Sequence, residues 1–97
     1  MFARVTRLEF QPDKAEEGFD IVQHSIVPSI KEQQGYKGLL LLRDPKTGSA
    51  TTVTLWESEA DMAATTTGNY PVQVAKVSGL LSTPPTRDVY EVRDVSI

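Results

Sequence analysis

The stretch RDPKTGSATTVTLWESEAD, Arg43 to Asp61, decides the fold because it contains a turn, a strand and the start of a helix. Its letters DPKTG, residues 44–48, are typical of a hairpin connection. The segment Ala50–Trp56 is rich in threonine and valine, which favour strands. Ser58 then fits the N-cap of a helix, and Asp61 stands where a capping-box partner belongs. The stretch therefore predicts a hairpin whose second strand leads directly into a helix.

The residues before this stretch predict a strand, a helix and another strand. Phe2 to Phe10 alternates between two faces, and a period of two indicates a strand. From Ala15 the apolar residues recur every three or four positions, which predicts an amphipathic helix. Pro28 falls inside that helix, so we expect a kink or an early break there. The apolar run Gly38 to Arg43 lies between glycine and a turn, which favours a strand.

The residues after this stretch predict more helix and a final strand. Gly68 suits the end of the helix that Ser58 begins. Tyr70 to Leu81 is compatible with a strand or a helix, and its apolar stripe favours a helix. Arg87 to Val95 alternates again and predicts the last strand. The resulting β-α-β-β-α-α-β order is a single α+β domain over residues 1–97. It has the ferredoxin-like split βαβ arrangement, with a four-stranded antiparallel sheet.

The composition excludes several classes of function. The net charge is −3, which argues against nucleic acid because phosphate binding needs a basic surface. The absence of cysteine excludes disulfides and thiolate chemistry, and it fits a reducing, cytoplasmic location. The only histidine, His24, lies off the apolar stripe of its helix, so we expect no metal site. The N-terminus lacks the apolar core of a signal peptide, and the run Leu39 to Leu42 is too short to span a membrane.

One face of the predicted sheet is too apolar to face water. Its apolar positions are Val5, Leu39, Leu41, Val53, Leu55 and Val92. A chain of 97 residues has no further element to cover this face. A second copy of the same sheet is the simplest cover, so we predict a homodimer joined through the sheet face.

The stretch quoted first, preceded by a helix ending in QQGYKGLLLL, resembles the antibiotic biosynthesis monooxygenase (ABM) superfamily. The hallmarks are Gly35 after the first helix, the RDP turn at Arg43 to Pro45, and the LWES strand-to-helix junction. The resemblance covers nearly the whole chain and implies a dimeric α+β barrel. It also implies oxidation of small aromatic or quinone-like substrates by O₂, often without a cofactor, in a cavity between sheet and helices.

The resemblance indicates where functional side chains would stand. Its haem-degrading branch uses an Asn on strand 1, and a Trp and a His on and just after the second helix. Here Thr6 and Thr65 stand at or near the first two positions, and no histidine falls around Ala75. The resemblance to that branch is therefore limited to the scaffold, and we predict that the chain uses neither haem nor another cofactor.

Two side chains of strand 1 are the first candidates for chemistry. Arg4 and Thr6 share the face that should point at the helices, because Thr6 matches the strand-1 position of the family. An arginine on an apolar cavity wall needs a partner. Arg4 would hold a substrate enolate or carboxylate there. Alternatively, it reaches the sheet edge or pairs with Glu91 across the strands.

Aromatic and hydroxyl side chains complete the predicted site. The predicted catalytic set is Arg4, Thr6 and Tyr70, and the predicted substrate-binding set is Trp56, Tyr36 and Thr65. Trp56 would stack on an aromatic substrate, and both tyrosines would lie at the pocket mouth. The alternatives are structural. Trp56 and the tyrosines would then be packing residues, and Thr65–Thr67 would be a fraying helix end.

Two functions from different classes follow. We predict a cofactor-independent oxygenase that acts on a small aromatic or hydroquinone-like compound. The alternative is a non-catalytic, dimeric small-molecule-binding or interaction module, which the alanine and threonine run of the second helix favours. A cavity of some hundreds of cubic ångströms would support the oxygenase, and a fully packed interior would support the alternative.

Overall fold

The computed structural model describes all of residues 1–97. The strands are β1 (Phe2–Leu8), β2 (Tyr36–Arg43), β3 (Ala50–Trp56) and β4 (Thr86–Glu91). The helices are α1 (Ala15–Ile21), α2 (Val27–Lys31), α3 (Glu59–Thr67) and α4 (Asn69–Ala75). Short helical turns lie at Pro12–Lys14, Val22–Ile26 and Ser78–Leu80. None of the helices has the length and apolar character needed to cross a membrane.

The strands form one antiparallel sheet in the order β2-β3-β1-β4. β1 pairs with β3 on one side and β4 on the other, and β2 and β3 form the predicted hairpin. The helical segments after β1 and β3 each lead to an outer strand, and both pack on the same face of the sheet. This is the ferredoxin-like split βαβ topology, so the predicted α+β fold class is confirmed.

Local bonds to Asp44 hold the hairpin turn. Its Oδ1 accepts hydrogen bonds from the backbone N–H of Lys46 at 2.8 Å and of Thr47 at 3.3 Å. These bonds to the ionised form lower the pKa of the Asp44 carboxyl below its usual value. Gly48 closes the turn with a φ of +77°, a conformation that favours glycine. The letters DPKTG therefore specify this turn by short-range chemistry.

The core lies between the sheet and the helices. Leu8 stands opposite Ala50 on the helix side of the sheet, and both side chains are buried. The largest completely enclosed side chains are Trp56, Val22 and Val77. Trp56 ends β3, and its burial fixes the junction from which the chain enters α3.

The register of β2 corrects one prediction. The pairing with β3 shifts within residues 36–38, which is the signature of a β-bulge. Beyond the shift, Leu39 and Leu41 pack against the helix-side core. Leu40 and Leu42 therefore face the opposite side, where they are 56% and 48% exposed. The placement of Leu39 and Leu41 on the open face is wrong, because one extra residue in a strand exchanges its two faces.

The irregularity predicted near Pro28 is present. A π-helical turn, Val22–Ile26, separates α1 from α2, and Pro28 lies in the first turn of α2. The backbone N–H of Val27 bonds to the carbonyl of Val22, five residues earlier. Since proline has no N–H for the carbonyl of His24, the wider turn accommodates it without breaking the helical path.

The start of α3 is capped as predicted, although only half of the capping box forms. Ser58 Oγ accepts a hydrogen bond from the backbone N–H of Asp61 at 3.1 Å. The Asp61 carboxylate bonds to Gln34 Nε2 at 3.4 Å rather than back to Ser58. Gly68 follows the last residue of α3, as predicted.

Two predicted elements after α3 are shorter in the structure. The helix expected over Tyr70–Leu81 consists of α4 and a separate turn at Ser78–Leu80. The strand expected over Arg87–Val95 ends at Glu91. Phe2, the first residue of β1, is the partner of Glu91, so the chain beyond has no strand residue to pair with.

Gly18→Ala is expected to destabilise the protein by about 1–2 kcal/mol, although alanine favours helices over glycine by about 1 kcal/mol. A Cβ at Gly18 would lie 2.4 Å from atoms of the Phe10 ring. That ring is buried and cannot withdraw, so overpacking outweighs the helix propensity. Urea denaturation measures the change. Gly79→Ala is the control, because a Cβ there meets nothing within 4 Å. Equal or greater stability of Gly18→Ala would contradict this packing.

Candidate active-site cavity between the sheet and the helices

A cavity of about 40 Å³ lies between the sheet and the helices. Its lining residues are Arg4, Thr6, Leu8, Ile26, Ile30, Thr52, Thr54, Asn69, Tyr70, Gln73 and Val74. Threonines occupy the helix-facing positions at the middle of β1 and β3, where a packed core would carry larger aliphatic side chains. Their small size leaves the space open, and their hydroxyl groups make the floor of the cavity polar. The volume has room for roughly three water molecules.

Arg4 is the most unusual residue of the cavity. It is only 5% exposed, and it forms no ion pair with any carboxylate. Its Nη2 donates a hydrogen bond to Thr65 Oγ1 at 2.8 Å. The guanidinium lies 5.6 Å from the ring centre of Trp56 and 5.2 Å from that of Tyr70. The buried Nη1 has no hydrogen-bond partner in the protein.

Burial of the charged Arg4 side chain lowers the free energy of unfolding. Burial, and second the positive charge of Arg87, lower the pKa of Arg4 below its ordinary value, while Tyr70 acts in the opposite direction. An arginine nevertheless stays protonated near neutral pH. The cavity therefore presents a desolvated cation without a counter-charge, which favours an anionic ligand.

Tyr70 stands between two positive charges. The Arg87 guanidinium lies 4.6 Å from its ring centre, close to the distance of Arg4 from the same ring. Tyr70 belongs to the first turn of α4, directly after Gly68 ends the preceding helix. The Tyr70 side chain is half-buried, and its hydroxyl makes no hydrogen bond within the protein. That hydroxyl is therefore free to bind a ligand.

Gln73 supplies a second unpaired polar atom. It is 6% exposed, and its Nε2 donates to Asn69 Oδ1 at 2.7 Å and to Ser29 Oγ at 2.9 Å. Its Oε1 has no partner. Arg4 Nη1 and Gln73 Oε1 are the two buried side-chain polar atoms without a hydrogen bond, and both residues line this cavity. Native interiors leave few such atoms, so their coincidence at one cavity indicates a binding site.

The structure brings the predicted catalytic set together. Arg4, Thr6 and Tyr70 all line the cavity. The predicted pairing of Arg4 with Glu91 does not form, because Arg4 stands opposite Val89 in the sheet. The Glu91 carboxylate lies 3.0 Å from Arg93 instead.

The predicted substrate-binding set lies outside the cavity lining. Trp56 is fully buried, and its indole N–H donates to Thr54 Oγ1 at 2.8 Å. Tyr36 belongs to β2 rather than to a pocket mouth, and its ring meets Trp56 edge-on at 6.5 Å. Thr65 is buried, and its hydroxyl donates to the carbonyl of Met62 at 2.7 Å. Trp56 and Thr65 contact the Arg4 guanidinium from outside the cavity lining, so they hold its position.

The expectation that Thr65 belongs to a fraying helix end is wrong. Thr65 is a fixed residue that accepts a hydrogen bond from Arg4, so it is not part of a fraying helix end. Met62 is only 4% exposed and leaves no room for a ligand beside it. The cavity lies instead beside α4, because the threonines of the sheet face that helix.

Sequence reasoning missed Gln73 and Asn69. The signal for Gln73 was its spacing, since it lies three residues after Tyr70 and four before Val77. Residues at those separations share a helix face, and here that face points into the core. A glutamine at a core-facing position is exceptional enough to mark a candidate.

Acid–base and metal chemistry have few candidate groups in this chain. No carboxylate or histidine lines the cavity. No group of three or more His, Cys, Asp or Glu residues stands close enough to hold a metal ion. His24 is exposed, and its ring lies 3.9 Å from the Asp20 carboxylate at the surface. The cavity instead offers a cationic donor and several hydroxyl groups, which suit an anionic ligand.

The fold and the cavity define an α+β protein with a cavity under its helices, lined by a buried arginine that has no acidic partner. The family model described as antibiotic biosynthesis monooxygenase matches residues 1–70, and the chain belongs to this family. The matched segment includes Arg4, Thr6 and Tyr70, whereas Gln73 lies beyond it. No curated protein matches the chain by sequence.

Solved structures agree with the fold. A protein of unknown function from Nitrosomonas europaea is 21% identical, with a TM-score of 0.82 over 99% of this chain and 92% of its own. A monooxygenase of Streptomyces coelicolor, solved with Nanaomycin D, is 18% identical, with a TM-score of 0.76 over 99% and 90%. The cofactor-independent oxygenase SnoaB from Streptomyces nogalater is 15% identical, with a TM-score of 0.70 over 97% and 94%.

Proposed function

We propose that this protein is a cofactor-independent oxygenase that acts on a small aromatic compound of the hydroquinone type. The observation that carries the proposal is the buried Arg4 guanidinium, whose Nη1 is unpaired in a cavity without acidic groups. A phenolate or enolate oxygen matches this site in charge and in size. The structural likeness to a cofactor-independent oxygenase, and to a monooxygenase solved with Nanaomycin D, supports the same reaction class.

The chemistry needs little from the protein. An electron-rich phenolate or enolate reduces O₂ itself, so the protein supplies position, a dry surrounding and stabilisation of negative charge. In a balanced reaction, the ring carbon that is CH₂ in the keto tautomer becomes a carbonyl with one oxygen atom of O₂, and the other oxygen atom leaves as water with the two hydrogens. Arg4 stabilises the anion throughout, and the hydroxyls of Thr6 and Tyr70 orient the substrate by hydrogen bonds.

The cavity must widen to admit an aromatic ring. Its volume of about 40 Å³ is well below the roughly 300–1,000 Å³ of typical ligand pockets. Tyr70 is the half-buried aromatic of the lining, and it lies on the short helix α4. In this proposal Tyr70 turns outward on binding and then covers the ligand.

The small cavity and its lack of an acid–base group favour the alternative, a non-catalytic dimeric small-molecule binder. Oxygen consumption separates the two functions. The protein is mixed with dihydroxynaphthalenes and other dihydroxy-aromatics, and O₂ uptake is compared with that of heat-denatured protein. Accelerated uptake supports the oxygenase. A rise in melting temperature without O₂ uptake supports the binder, and a panel that gives neither contradicts both.

Tyr70→Phe is expected to weaken ligand binding or turnover by roughly tenfold, because the free hydroxyl would lose its bond to the ligand. The melting temperature should change little, since that hydroxyl has no partner within the protein. Tyr36→Phe is the matched control, as Tyr36 lies on β2, outside the cavity lining. If Tyr70→Phe destabilises the fold and leaves binding unchanged, Tyr70 is a structural residue.

A further inference from the structure

We infer that Gln73 Oε1 is the second anchor of the ligand and that it selects a hydroxyl group over a carbonyl group. This inference rests on the proposed function, because it concerns the same cavity. It assigns a specificity-determining role to a residue beyond the segment that the family model matches. The ligand would then be bound in its reduced, hydroquinone form.

The hydrogen bonds around Gln73 orient its amide. Both N–H groups are used, since Nε2 donates to Asn69 Oδ1 and to Ser29 Oγ. The Ser29 hydroxyl in turn donates to the same Asn69 Oδ1 at 3.2 Å, so the three side chains form a closed triangle of hydrogen bonds. The remaining atom, Oε1, is buried without a donor. The triangle therefore holds one acceptor fixed in the wall of the cavity.

The cavity thus offers two complementary groups from opposite walls. Arg4, from the sheet, presents a cationic donor, and Gln73, from α4, presents a neutral acceptor. A hydroquinone monoanion satisfies both, because its O⁻ accepts from Arg4 and its O–H donates to Gln73. A quinone carries two acceptors, so one carbonyl would face Oε1 and leave both oxygen atoms unpaired.

The size of this discrimination follows from desolvation. A site built to bond a hydroxyl rejects an analogue without it by orders of magnitude, because the buried partner stays unsatisfied.

The test compares a redox pair under anaerobic conditions. The probes are 1,4-dihydroxynaphthalene and 1,4-naphthoquinone, and their dissociation constants are measured by calorimetric titration. Wild-type protein is expected to bind the hydroquinone at least about tenfold more tightly than the quinone. Equal affinities, or tighter binding of the quinone, would overturn the inference without any variant.

A variant identifies the residue responsible. Gln73→Met keeps the length of the side chain and removes the acceptor, so the preference should fall to less than about threefold. Gln34→Met is the matched control, because Gln34 is exposed and outside the cavity lining. A full preference retained in Gln73→Met would overturn the inference. If Gln73→Met fails to fold, 1-naphthol takes its place as the test, because its single oxygen can serve Arg4 but it lacks the hydroxyl for Gln73; wild-type affinity for 1-naphthol equal to that for 1,4-dihydroxynaphthalene would overturn the inference.

The failure of this inference differs from failure of the proposed function. Binding that depends on Arg4 but ignores the oxidation state of the probe rejects the role of Gln73 and leaves the oxygenase proposal standing. Absence of binding by any dihydroxy-aromatic or quinone rejects the proposed function, and the role of Gln73 falls with it.

Discussion

Arg4→Met is expected to reduce ligand turnover by roughly a hundredfold while it leaves the stability of the free protein nearly unchanged. Arg4 is buried and charged, and no carboxylate compensates it. Burial and the charge of Arg87 lower its pKa, which means that folding disfavours the protonated form. Methionine fills a similar volume without charge, and such replacements of buried ions are often stabilising by about 1–4 kcal/mol.

Two losses oppose this gain. The variant gives up the hydrogen bond from Arg4 to Thr65, and it gives up the contacts of the guanidinium with Trp56 and Tyr70. A hydrogen bond to a charged group contributes about 1.5–3 kcal/mol and a cation–π contact about 0.5–2 kcal/mol. Because Thr65 keeps its bond to the carbonyl of Met62, no new unpaired group appears. The gain and the losses are of similar size, so we expect the stability of Arg4→Met to stay within about 1 kcal/mol of the wild type.

Thermal and urea denaturation, together with O₂ uptake, measure both effects. Arg93→Met is the control, since the Arg93 side chain is 86% exposed and distant from the cavity lining. Arg4→Lys should keep part of the activity, because it retains the charge but loses the planar fork. Marked destabilisation of Arg4→Met with full activity would show that Arg4 is a structural residue.

Val53→Asp is expected to convert a homodimer into monomers. We propose that two copies of the chain meet through the open face of the sheet, which no helix covers. Val53 stands at the centre of that face, between Val5 on β1 and Leu40 on β2. The exposed side chains of Leu40 and Leu42 extend the apolar area. Stable dimer interfaces of this kind bury on the order of 2,000 Å² or more.

The symmetry of a dimer makes this substitution severe. In a two-fold interface the same patch meets itself, so one substitution buries two carboxylates near each other. Like charges across an interface cost several kcal/mol, which corresponds to at least about a hundredfold weaker association. Sedimentation velocity at micromolar concentration measures the change. Val72→Asp is the control, because Val72 is an exposed valine on α4. A wild-type protein that sediments as a folded monomer would contradict the proposal.

Short-range chemistry made much of the fold predictable. The turn at residues 44–48, the cap at Ser58 and the stop at Gly68 depend on side chains within a few positions of the backbone they contact. The alternation of β3 and the helical spacing after Ala15 are periodic patterns that a sequence shows directly. For these elements the predicted and observed positions agree closely.

The sequence of β2 does not show which of its side chains point at the core. Four consecutive leucines, Leu39–Leu42, carry no alternation, so the pattern does not tell which of them points at the core. The bulge within residues 36–38 makes that choice, and its position depends on how β2 pairs with β3. A single shifted residue exchanges the two faces, which is why only the assembled sheet decides it.

In the candidate site, too, some features follow from the local sequence and others only from the tertiary structure. The sequence by itself determined that Arg4 and Thr6 share one side of β1, because strand alternation is a local property, and the family resemblance indicated that this side faces the helices. Only the tertiary structure decided that Arg4 has no carboxylate partner and that Gln73 Oε1 stays unpaired beside it. Those facts depend on Thr65 and Ser29, which lie 61 and 44 residues away from the side chains they contact. The pairing state of a buried polar atom is set by such distant neighbours, and no local pattern in the chain encodes it.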